Sequence, residues 1–221
     1  MEPKNQKFHL DKFNGLCLFF FVVLLFRLTI FPYLGGLIIG LSFNIIIYII
    51  LFGLTLVFCR ISDISISTFG FNRKDIAVQI FFGVAVAITL IIIFIGGFTI
   101  FGYQPQDYLS QAAPSIKILL LHLVFYFFIV GPIEEFMFRG YLLSLLTDIS
   151  RSPAWGAVIS SLLFGAWHWM SGNLLQVVST FLIGLVFALS KQKFRNCTML
   201  SIILAHSLYN VALELIRWFF C

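Results

Sequence analysis

The stretch GPIEEFMFRG, Gly131 to Gly140, sets two adjacent carboxylates and an arginine inside one of the most apolar regions of the chain. It follows ILLLHLVFYFFIV, Ile118 to Val130, and precedes YLLSLL, Tyr141 to Leu146. Acids in hydrocarbon are expensive, so they tend to be paired, functional or both. On a helix Glu135 and Arg139, four apart, share one face and can neutralise each other. Glu134 is turned about 100° away from Glu135. One arginine does not easily serve both acids, so Glu134 is the unexplained charge.

The surroundings settle the fold class. Of 221 residues, 61% are hydrophobic and 10% charged, with mean hydropathy +1.04. A soluble domain is about 25% charged. The expected fold is all-α: a polytopic membrane bundle of seven to eight helices enclosing a polar cavity, with residues 1–221 as one domain. The expected spans are Phe13–Phe31, Leu34–Phe58, Ile76–Phe101, Ile116–Leu146, Pro153–Met170, Leu174–Ser190 and Met199–Phe219. An eighth would arise if the fourth broke at Pro132, but one long, kinked element is preferred there. The first run carries Arg27 and no small-residue cleavage site, so it is read as a span rather than a signal peptide.

Lys4, Lys7 and Lys12 precede the first span, Arg60, Arg73 and Lys74 follow the second, and Lys191, Lys193 and Arg195 follow the sixth. The loop Gly102–Ser115 has Asp107 and no lysine or arginine. With seven spans these charges agree on a cytoplasmic N-terminus. The net charge of +5 then reflects cytoplasmic loops, and no nucleic-acid partner is implied. The four cysteines are scattered and form no CxxC pair.

Two further polar clusters interrupt apolar runs. FGAWHWM places Phe164 and His168 four apart, and AHSLYN does the same for His206 and Asn210. Either histidine alone reads as a hydrogen-bonded packing residue, as His122 in LLLHLVF does. A glutamate, two histidines and an amide on three spans, however, supply the parts for peptide hydrolysis: a base, a group to hold water, and donors for an oxyanion.

These clusters, in this order, resemble the motifs of the CPBP family, the CAAX-processing and bacteriocin-processing (Abi-type) intramembrane proteases. EEFMFR, Glu134 to Arg139, is similar to EExxxR; FGAWH, Phe164 to His168, to FxxxH; and HSLYN, His206 to Asn210, to HxxxN. All lie within residues 131–215. The resemblance implies a bundle of about eight helices around a cavity. It implies Glu134 as general base activating water with His168, and His206 and Asn210 as oxyanion donors. Glu135, Arg139 and Phe164 would support the site.

The resulting expectation is an integral membrane endopeptidase of the bacterial plasma membrane. It would act on a lipid-associated peptide or protein, in maturation of, or immunity to, a secreted peptide such as a bacteriocin. No cofactor is favoured. The mechanistic alternative is zinc on Glu134, His168 and His206, although no HExxH is present. The functional alternative is a non-enzymatic immunity or scaffold membrane protein. A transporter would be expected to show paired short segments or repeat halves, and none is visible.

Overall fold

The computed structural model describes residues 37–72, 74–109, 113–169 and 174–221, together with Lys12, Asn14, Gly15, Leu18 and Phe19. Six long helices stand among them: α1 Leu37–Ile61, α2 Ile76–Ile100, α3 Ile116–Ser150, α4 Pro153–Trp167, α5 Leu174–Lys193 and α6 Met199–Phe220. All but α4 are long and apolar enough to cross a membrane, making this an integral membrane protein. Most positions of these helices are apolar, so their outer faces can meet lipid; Phe81, Ile92 and Phe128 are among the exposed side chains. Seven to eight helices were expected. The first expected span, Phe13–Phe31, lies outside the described residues apart from Asn14, Gly15, Leu18 and Phe19. The eighth does not form, because α3 runs unbroken through Pro132.

That continuity has a local cause. Gly131 N–H bonds Tyr126 O, five residues back rather than four. In this wider register the next donor would be residue 132, but proline has no N–H. Phe127 O is left over, and Ser207 Oγ of α6 donates to it at 2.9 Å. A Cβ on Gly131 would fall 2.3 Å from Ser207 Oγ, so glycine is what lets α6 approach. The proline therefore joins α3 to α6 instead of ending α3.

A second wide turn covers Phe136–Leu142, where Leu143 N–H reaches Phe138 O. Returning from i−5 to i−4 bonding leaves a carbonyl over, and Lys191 Nζ of α5 donates to Arg139 O at 2.9 Å.

Helix α3 is the centre of the bundle. α1, α4 and α6 pack on it, α2 packs on α6, and α5 packs on α4. The core on the α1 side joins Phe136, Phe138, Tyr141 and Leu142 to Phe19, Phe58 and Phe69. A second core joins Leu90 of α2, Phe187 of α5, and Ile202 and Ala205 of α6. α4 was expected to span as Pro153–Met170. It begins at a Ser152 cap with Pro153 in its first turn, and stops at Trp167. Its 15 residues cover about 22 Å, short of a full crossing.

Candidate active site

Because α4 is short, its end lies beside the middle of α3. Trp167 Nε1 donates to Glu134 Oε1 at 3.2 Å. Glu134, Glu135, Arg139 and His206 are all buried, none above 4% exposure, so any charge here depends on the others for its solvation.

The two acids meet different partners. Glu135 Oε1 accepts from Arg139 Nη1 at 2.9 Å, the ion pair that the helical spacing suggested. The same oxygen lies 2.6 Å from His206 Nδ1. A carboxylate only accepts, so Nδ1 carries the proton and the ring is fixed with Nε2 on its far side. Nε2 faces Glu134, 3.8 Å from Oε2. Glu135 thus holds both the arginine and the histidine, and the histidine links the two acids.

Glu134 Oε1 accepts from Tyr48 OH of α1 at 2.6 Å as well as from Trp167. Its Oε2 is buried and makes no hydrogen bond among the described residues.

Arg139 is wrapped in aromatic rings. Its guanidinium carbon lies 4.2 Å from the Phe164 centroid and 5.4 Å from that of Phe187. Arginine tolerates such surroundings because its planar cation stacks on ring faces. Gly184 of α5 makes room for it, since a Cβ there would lie 2.7 Å from Arg139 Nη2. Phe164 is also the hub between the histidines, its centroid 4.9 Å from the His168 ring and 5.7 Å from the His206 ring.

His168 stands just past the end of α4, half-buried, with Nδ1 2.9 Å from Phe164 O. The carbonyl can only accept, so this nitrogen donates and Nε2 is an acceptor in the neutral ring. Asn210 sits one turn beyond His206 on α6. It is half-buried, and its amide makes no hydrogen bond among the described residues. The structure therefore brings Glu134, Glu135, Arg139, Phe164 and His206 into direct contact. His168 is attached through Phe164, and Asn210 stands a turn away.

A catalytic zinc needs about three protein ligands. Glu134 Oε2 and His206 Nε2 could contribute two. Among the described residues no His, Cys, Asp or Glu completes a group of three. Glu134, His168 and His206 are therefore not gathered into a three-ligand group among the described residues. Cysteine chemistry is no closer: burial pushes the Cys197 thiol, in the loop between α5 and α6, up to about 11, leaving it protonated at neutral pH.

Three partners escaped the sequence reading. Trp167 sits inside the quoted FGAWHWM, and its indole N–H was the available signal. Tyr48 interrupts NIIIYII, Asn44 to Ile50, with one hydroxyl. Glu214 of α6 lies 3.6 Å from His122 Nδ1 and is bonded by Arg217. His122, read as a packing residue, therefore belongs to a second, partly buried polar cluster.

Residues 116–212 match the family model described as type II CAAX prenyl endopeptidase Rce1-like. A 24.3 kDa Escherichia coli protein, described as uncharacterized, is 32% identical over 91 residues. That alignment covers 40% of this chain and 40% of the relative. No solved structure matches the chain.

Proposed function

Residues 116–212 match the type II CAAX prenyl endopeptidase model, and we propose that the protein is a member of that protease family, an intramembrane endopeptidase that hydrolyses a peptide bond with water activated by Glu134. One observation carries the reading: Glu134 Oε2 is buried, without a hydrogen bond among the described residues, and 3.8 Å from His206 Nε2. That gap is longer than a direct hydrogen bond, and in the proposed reaction the attacking water bridges it.

In the proposed reaction Glu134 Oε2 takes a proton from water as the water oxygen bonds to the scissile carbonyl carbon. His168, whose Nε2 is an acceptor, helps to orient that water. His206 Nε2 and the Asn210 amide donate to the carbonyl oxygen as negative charge collects there. Donation from both nitrogens of His206 requires its imidazolium form. Glu135 and Glu134 are the counter-charges beside it, balanced with Arg139. The C–N bond then breaks as Glu134 returns the proton to the leaving nitrogen, giving a carboxylic acid and an amine, and the acid passes its remaining proton to the amine or to solvent on release. Glu135, Arg139 and Phe164 act by holding His206 and by filling the space around it.

The substrate class we propose is a peptide or protein held at the bilayer, because the acids lie in the middle of a membrane-length helix. Maturation or immunity for a secreted peptide is the role proposed for it, at the plasma membrane of a bacterium. A metal-free mechanism is preferred because, among the described residues, the donor set is two groups short of a closed zinc site and one short of a catalytic one.

The test is peptide release. Purified wild type and Glu134→Gln in lipid nanodiscs are incubated with a membrane-protein fraction, and new peptide ends are read by mass spectrometry. Wild type should release peptides after exhaustive chelation, and Glu134→Gln should not. Chelator-sensitive release restored by zinc would overturn the metal-free mechanism, and equal release by both proteins would overturn the role of Glu134.

A further inference from the structure

The two oxygens of Glu134 are not equivalent, and the difference comes from side chains that the family motifs do not specify. Oε1 faces two donors from two helices, Tyr48 OH of α1 at 2.6 Å and Trp167 Nε1 of α4 at 3.2 Å. The Tyr48 distance is in the range of charge-assisted O–H···O bonds, about 2.5–2.7 Å. Oε2 is buried, has no such bond among the described residues, and looks toward His206. A carboxylate bonded this way at one oxygen cannot spin about its last torsion without losing both donors. Its remaining lone pairs, on Oε2, are therefore aimed in one direction.

The donors are themselves fixed. The Tyr48 ring stands edge-on to Phe125 of α3, centroids 5.7 Å apart at 85°. Trp167 packs against Phe138 of α3 at 6.3 Å. Each ring rests on the same helix that carries Glu134, so the donors move with it.

We propose that Tyr48 and Trp167 form a two-donor clamp that holds Oε1 and leaves Oε2 as the proton acceptor, making both of them positioning residues for the reaction. This rests on the reading of Glu134 as general base. It draws α1, outside the matched residues 116–212, into the working site. The helices N-terminal to the motifs are then part of the catalytic geometry as well as of the scaffold.

The clamp has two readouts. The first needs no substrate. Protein with 15N-labelled tryptophan in nanodiscs gives indole N–H resonances, and Trp167→Phe identifies that of Trp167 among the four tryptophans. Glu134→Gln exchanges a carboxylate acceptor for an amide and should move the resonance upfield. Tyr48→Phe leaves the indole as sole donor and should move it downfield. The second uses a quenched-fluorescent peptide built on a sequence released in the experiment above.

Tyr48→Phe keeps the ring on Phe125, so melting temperature and KM should hold while kcat falls about tenfold to hundredfold. Adding Trp167→Phe should lower kcat by more than the product of the single losses, because each donor covers for the other. A Trp167 resonance indifferent to both Glu134→Gln and Tyr48→Phe would overturn the clamp, as would wild-type kcat in Tyr48→Phe. An inert wild type whose Trp167 resonance still moves with Glu134→Gln would leave the clamp standing and overturn the protease reading instead.

Discussion

At Glu134, exchanging one carboxylate oxygen for an amide still leaves Tyr48 and Trp167 an oxygen to bond, so Glu134→Gln should fold as wild type does. Glu135 differs because its one bonded oxygen serves Arg139 at 2.9 Å and His206 at 2.6 Å. Glu135→Ala leaves a fully buried guanidinium unpaired, and Arg139→Ala leaves the reciprocal carboxylate beside His206. Breaking a buried pair typically costs about 3–5 kcal/mol. Melting in detergent should therefore fall steeply for Glu135→Ala and Arg139→Ala and hardly at all for Glu134→Gln. An equal loss in all three would mean that Glu134 is held by the same network. The Glu135–Arg139 pair was legible because both residues lie on one helix, where a spacing of four fixes proximity. The contact of His206 with Glu135 was not, since it depends on how closely α6 meets α3, which local spacing does not encode. Tyr48 was hidden for the same reason: a hydroxyl in an apolar run does not announce which carboxylate it faces.

Between helices, the close approach of α3 and α6 is what sets His206 against the two acids. It depends on Gly131, whose missing Cβ admits Ser207, and on Pro132, whose missing N–H leaves Phe127 O for Ser207 Oγ. Gly131→Ala should force the helices apart, lowering stability by about 1–3 kcal/mol and reducing hydrolysis with it. Ser207→Ala strands a buried carbonyl, at a cost of about 1–3 kcal/mol. In a Pro132→Ala background the restored N–H can bond that carbonyl, so the Ser207→Ala penalty should shrink. Thermal melting of the four-protein cycle checks this, and strict additivity would contradict the account. A proline in a helical run reads as a break or a kink from sequence. The wide turn that absorbs it is a property of two helices together, and so was not legible. The end of α4 was likewise obscured, because its apolar run continues past Trp167 and hydropathy alone gives no stop there.

The whole molecule was the most readable, because 61% apolar composition leaves few folds open to it. The lysine and arginine asymmetry carries a further prediction about orientation. Single cysteines at Gln106 and Lys193, in a background without the native four, should differ in intact cells. An impermeant reagent should label position 106 and spare 193, and the reverse would invert the topology. Lys12 pairs with Asp148 at 2.8 Å, which places Lys12 beside the end of α3, on the side where the account puts the cytoplasm. The central claim is that this bundle delivers a water molecule to a peptide bond through Glu134, and oxygen-18 water tests it most directly. Wild type in nanodiscs, chelated and supplied with membrane protein in that solvent, should yield new C-terminal carboxylates carrying the heavy oxygen, whereas Glu134→Gln should yield none. Labelled termini in equal amounts from both proteins would contradict the account.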